Sequence, residues 1–138
     1  MRKRTLGREY ALQVLYQIDI TGEPAQSALD KFWFLGAGQE AEEGLKDFVC
    51  RLVNGVVQNS KEIDEKISRY AQNWQLGRMA VVDRNVMRLG CFELLYCDDV
   101  PFKVSINEAV DLAKKFSGDE SGKFVNAILD KVKAEKDN

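Results

Sequence analysis

Four basic side chains crowd the start of the chain. Arg2, Lys3, Arg4 and Arg8 stand against Glu9 alone in the first 16 residues, a net +3. The full 138 residues carry −2, so the remainder is −5. Arg4 and Arg8 are four apart and share one face of a helix. Guanidinium groups in that pattern bridge phosphates and stack on unpaired bases. Basic residues at a helix start also oppose the macrodipole. An anionic partner would offset that mild cost. A solvated, functionless cluster is the alternative reading.

Two further groups invite chemistry. In Ser117-Gly118-Asp119-Glu120-Ser121-Gly122-Lys123-Phe124 a small-residue loop enters a helix. With Ser121 as N-cap, N–H groups near Gly122 and Lys123 are predicted to be open to a phosphate. Phe124 either packs inside or offers a stacking face to a base, and spacing alone favours packing. Tyr16 projects with Glu9 away from the apolar line of its helix, which suits a protein contact.

Enzyme chemistry has few footholds. The chain has no histidine. That excludes Ser-His-Asp and Cys-His nucleophiles, an imidazole base and His-ligated zinc. Glu93, on the apolar side of its helix, is a candidate general acid with a raised pKa. The plainer reading is a satisfied, partly buried carboxylate. Gly36-Ala37-Gly38 lacks the Lys-Ser/Thr pair and strong helix of a phosphate loop. Asp98-Asp99 and Glu42-Glu43 read as solvated surface. Cys50, Cys91 and Cys97 are odd in number and form no C-x-x-C, so they read as reduced core thiols. With no apolar signal region and no run near the about 20 residues that span a bilayer, the expected location is cytoplasmic, with no membrane partner and no cofactor or metal.

The elements that must hold these residues are helical throughout. Leu6, Tyr10, Val14 and Ile18 mark the first helix, ending near Thr21-Gly22. A weaker helix runs from Pro24 to Leu35, and Gly36 to Gly44 reads as a loop. Leu45, Phe48, Val49, Leu52, Val53 and Val56 form the stripe of a third helix. Ile63, Ile67 and Tyr70 share a face of a fourth that starts at Ser60. Trp74 and Leu76 fall in a connection. A fifth helix is predicted from about Arg78 to Tyr96, with Asp98 to Pro101 ending it. Ser105-x-x-Glu108 reads as a capping box, opening a helix that buries Ile106, Ala109, Val110, Ala113 and Phe116. The last helix buries Phe124, Ile128, Leu129 and Val132. The prediction is an all-α fold of about seven helices in two small bundles. A seam near Gln72 to Gly77 separates subdomains of about 1–73 and 74–138.

Four runs carry a family resemblance: residues 8–16 (REYALQVLY), 83–94 (DRNVMRLGCFEL), and above all 100–116 (VPFKVSINEAVDLAKKF) followed by 123–131 (KFVNAILDK). Together they resemble NusB-type transcription antitermination factors over nearly the whole chain. The resemblance implies a non-catalytic, all-helical protein. It implies binding to the single-stranded boxA element of nascent RNA together with NusE, a small-subunit ribosomal protein. The complex helps RNA polymerase read through terminators, notably in ribosomal RNA operons. By the same resemblance the RNA-contacting residues are Arg2, Lys3, Arg4, Arg8, Gly122, Lys123 and Phe124, which turns Phe124 from core to contact. The NusE-facing surface includes Tyr16 and the neighbourhood of Asp83. The domain also occurs fused to ribosomal RNA cytosine methyltransferases, an activity not expected of a chain without that catalytic part. Two departures stand out. Thr5, Leu6 and Gly7 separate Arg4 from Arg8, and Asp119 and Glu120 would repel phosphate. The alternative function is a helical interaction module that homodimerises without specific RNA binding.

Overall fold

The computed structural model describes residues 2–36, 41–71 and 76–136. Trp74, most of the expected seam and residues 37–40 of the expected glycine-rich loop lie outside the described residues. Regular structure among the described residues is seven α-helices and one 3-10 turn, with no strand. The chain divides into two compact units, Met1–Gln58 and Asn59–Asn138.

The first unit holds α1 (Lys3–Thr21), α2 (Ala25–Leu35) and α3 (Glu43–Gln58). The apolar stripe of α3 is buried as its spacing dictates. It packs along α1, and α2 lies against both. On α1 the buried set is wider than the expected line. Ala11, Leu12, Val14 and Leu15 are buried together with Gly7, Arg8 and Glu9. Leu6, Tyr10 and Ile18 are half-buried. The cause is that two helices contact α1, not one: Tyr10 meets Phe32 of α2 edge-on, centroids 5.1 Å apart. Gly7 marks the closest approach of α1 to α3, since a Cβ there would stand 2.7 Å from Phe48 Cδ2. Glycine costs a helix up to about 1 kcal/mol relative to alanine. Here it is the condition for seating Phe48.

The second unit holds α4 (Ser60–Tyr70), the 3-10 turn Leu76–Arg78, α5 (Val81–Tyr96), α6 (Phe102–Phe116) and α7 (Asp119–Lys136). Helix α5 is central and touches α4, α6 and α7. From residue 85 to 94 only Arg88 escapes full burial. Such a helix has no solvent face to create a strong amphipathic pattern. Arg88 reaches both oxygens of Asp64 on α4, at 2.9 and 3.2 Å. Glu135 on α7 accepts from Lys66, Arg69 and Tyr70, which ties α7 to α4. By packing, then, α4 goes with the C-terminal helices and the division falls at 58/59. The sequence placed it some 15 residues later because α4 follows the polar break at Asn59-Ser60 without a glycine or proline to announce it.

Three boundaries depart from expectation. Residues 76–78 form a separate turn, and α5 begins only at Val81 after an extended Ala80. Helix α6 starts at Phe102, three residues before the proposed capping box. The Pro101 carbonyl accepts from both Val104 and Ser105 N–H. Ser105 is thus inside the first turn, buried, with an Oγ that makes no hydrogen bond. Proline, with φ already near −57°, nucleates the turn and overrides the serine. At the far end of α6, Leu112 and Ala113 take the core positions, Val110 is half-buried and Phe116 is exposed.

Candidate nucleic-acid interface

Arg2 is the extended residue before α1, and Lys3 and Arg4 open the helix. All three are exposed. The first turn of α1 contains no acidic residue. Positive side chains and a positive helix end therefore coincide. Lys3 forms an exposed ion pair with Glu42, at the entry to α3. Exposed pairs of this kind are weak and screened by salt. The Arg4 guanidinium lies over the Phe48 ring, 4.7 Å from its centroid, and that of Arg8 lies 5.5 Å from it. The four-residue spacing thus puts both arginines on one face, as expected. Arg8, however, is only 2% exposed. It is a packed residue between α1 and α3, because Gly7 lets Phe48 come so close.

The second region is the turn from α6 to α7. Gly118 adopts φ +112°, a conformation that L side chains rarely take. Its N–H donates to Ala113 O and closes α6. The chain reverses there and α7 begins at Asp119. Its first intrahelical bond runs from Gly122 N–H to Gly118 O, 3.2 Å. This corrects the phosphate cradle expected at Gly122 and Lys123. Ser121 lies inside the helix, and the Gly122 N–H is committed. Gly122 itself is buried beneath the Lys114 side chain. The helix N-terminus falls instead on Asp119 and Glu120, acids that suit the macrodipole. Lys123 is exposed and faces Glu120 at 3.4 Å.

Phe124 is half-buried and lines a cavity of about 280 Å³ with Met79, Ala80, Asp83, Glu120 and Ser121. Asp83 Oδ2 accepts from Ser121 Oγ at 3.2 Å, and its Oδ1 is buried without a hydrogen bond. The structure therefore brings Phe124, an expected RNA contact, into one cavity with Asp83, an expected partner contact. Tyr16 lies in the other unit, on α1, and is 43% exposed. Glu9, which was to share its face, is buried.

Phe48 and Glu42 are the residues that sequence reading missed. One was assigned to the core stripe, the other read as solvated surface alone. Only the packing of α1 on α3 sets them beside the basic arm. No local signal couples Lys3 to Glu42, 39 positions on, or Arg4 to Phe48, 44 positions on.

The enzymatic candidates fare differently. Glu93 is 2% exposed and does not line the cavity beside Phe124. None of the three cysteines forms a disulfide. Burial pushes the Cys91 thiol up to about 12, far from a reactive thiolate. Among the described residues no group of three metal-binding side chains assembles. Among the described residues no helix is long and apolar enough to cross a membrane.

A sequence profile of the NusB family matches residues 5–134. The transcription antitermination protein NusB of Anaeromyxobacter dehalogenans is 50% identical over 130 residues, covering 94% of this chain and 89% of that protein. NusB of T. maritima superposes with a TM-score of 0.87 at 35% identity, over 98% of this chain and 92% of that one. A crystal structure of antitermination factors NusB and NusE in complex with dsRNA contains a chain that matches with a TM-score of 0.88 at 28% identity. The match covers 98% of both chains.

Proposed function

This chain belongs to the NusB family, and on that premise we propose that it is a non-catalytic transcription antitermination factor. It binds single-stranded boxA RNA together with NusE and promotes read-through by RNA polymerase, notably in ribosomal RNA operons, in the cytoplasm. The observation that carries this reading is the exposed Arg2-Lys3-Arg4 arm on a helix end whose first turn has no acid. The NusB and NusE complex with dsRNA supports it by analogy.

The arm supplies phosphate attraction that falls with salt. Arg8 adds positive potential from beneath. Lys123 and Phe124 supply a cation and a stacking face for a base, while Gly122, buried beneath Lys114, lets α7 seat close to α6. Tyr16 and Asp83 contact NusE, which enlarges the RNA-binding surface without any covalent step.

A titration of boxA-like against scrambled RNA, with and without NusE, tests the whole reading. Preference for boxA, strengthened by NusE, is the expected result. Weak binding without sequence preference overturns it in favour of a homodimerising interaction module. In the same assay Tyr16→Ala weakens NusE pairing without lowering Tm; undiminished co-purification removes Tyr16 from that surface.

A further inference from the structure

We infer that Lys114 of α6 is a further contact to RNA phosphate, delivered to the start of α7 by the absence of a side chain at Gly122. The inference rests on the reading of Lys123 and Phe124 as RNA contacts. A lysine normally carries its ammonium on a flexible four-carbon stem. Here the stem is laid in a slot. A Cβ at Gly122 would stand 2.7 Å from Lys114 Cγ, 3.2 Å from its Cε and 3.5 Å from its Cδ. Gly122 is buried by that cover, while Lys114 as a whole is exposed. The methylenes pack on α7 and the charged end stays with water. A stem held in advance has less freedom to lose when it binds an anion.

The placement suits a strand that crosses α7. At about 100° of turn per residue, Phe124 lies about 200° round the helix axis from Gly122, with Lys123 between them. Lys123 is exposed, and Phe124 is half-buried at the edge of its cavity. A strand whose base stacks on Phe124 and whose backbone crosses the exposed face meets Lys123 first and Lys114 at the far edge. Charge points the same way. The first turn of α7 sets Asp119 and Glu120 against Lys123, and Glu120 is that lysine's partner at 3.4 Å. That turn by itself repels phosphate. Lys114 balances the sum from the neighbouring helix, and among the described residues no carboxylate pairs with it. Lys115, the next residue, lies over the Phe116 ring instead. Phosphate contact at this end belongs to the lysines and base contact to the ring.

The experiment is a double-mutant cycle in the full chain, read as affinity for boxA-like RNA with NusE present, at several salt concentrations. Lys114→Met keeps the stem in its slot and removes the charge. It is expected to lower affinity about three- to fivefold at low salt. The slope of log affinity against log salt should flatten by about 0.7, as for one phosphate contact to a single strand. A purely structural lysine would move Tm and leave that slope alone. Gly122→Ala keeps the charge and displaces the stem. It is expected to cost about two- to threefold in the parent and nothing further beside Lys114→Met. Unchanged affinity and slope in Lys114→Met, or an undiminished Gly122→Ala loss in that background, overturns the inference. Should Gly122→Ala fail to fold, Lys114→Met alone decides by its slope. Lys123→Met separates the two levels. If it too leaves the slope unmoved, the start of α7 is no RNA contact and the underlying reading fails; a flattened slope there with none in Lys114→Met overturns the inference alone.

Discussion

The start of α1 and the turn between α6 and α7 are both helix N-termini, yet they are built with opposite charge. The α1 end has Arg2, Lys3 and Arg4 and no first-turn acid. The α7 end has Asp119 and Glu120 in its first turn, with Lys123 facing Glu120. One end opposes its own macrodipole, the other complements it. A helix that tolerates the first arrangement is poised to accept an anion, whereas the second is already satisfied. The α7 end instead offers an aromatic ring at the edge of an acid-lined cavity. On the proposed function, phosphate attraction would fall to the first end and base selection to the second.

The largest expected effect tests the attractive side. Replacing Arg2, Lys3 and Arg4 by alanine should lower boxA affinity by roughly 30- to 100-fold at low salt. The slope of log affinity against log salt should flatten by about 2, as for three lost phosphate contacts to a single strand. An unchanged slope breaks the comparison. Phe124→Ala should cost about tenfold through lost stacking, with the salt slope unaltered. A changed slope there means that the α7 end works by charge after all.

Removing the opposing acids should act in the other direction and by less. Glu42→Gln frees Lys3, and Glu120→Gln removes a carboxylate beside Lys123. Each should raise RNA affinity about two- to threefold at low salt, with the gain vanishing near 0.5 M salt, where the screening length is only about 4 Å. Filter-binding at two salt concentrations distinguishes this from a change of fold.

The last test separates binding from stability. Lys66, Tyr70 and Arg69 hold the Glu135 carboxyl down at about 2. Because that pKa is lower in the folded than in the unfolded chain, its contribution is complete above about pH 4.5. It is lost as pH falls toward 2. Glu135→Gln should therefore lower Tm by a few degrees at pH 7. The difference from the parent should shrink below pH 4.5, with RNA affinity at pH 7 unmoved. A change in that affinity would tie the α4–α7 pin to the interface.

Much of this was legible in the residues themselves. The stripe of α3, the Ile63/Ile67 face of α4 and the close of α5 before Pro101 follow from spacing and proline chemistry. The family followed from the runs at 100–116 and 123–131. Helix starts were less legible. Ser105 and Ser121 both look like caps, but Pro101 and Gly118 turned the chain four and three residues earlier. Backbone geometry at proline and glycine outweighs a side-chain hydrogen bond of about 1 kcal/mol.

By itself the sequence determined the helical class, the basic arm and the acidic body, because these depend on local periodicity and on a sum of charges. Only the tertiary structure decided which of those charges face solvent. It buried Arg8 and Glu9, set Phe48 under Arg4, drew Glu42 to Lys3 and brought Phe124 beside Asp83. Each of these depends on how closely two helices approach, and at Gly7 that distance turns on the absence of a single Cβ.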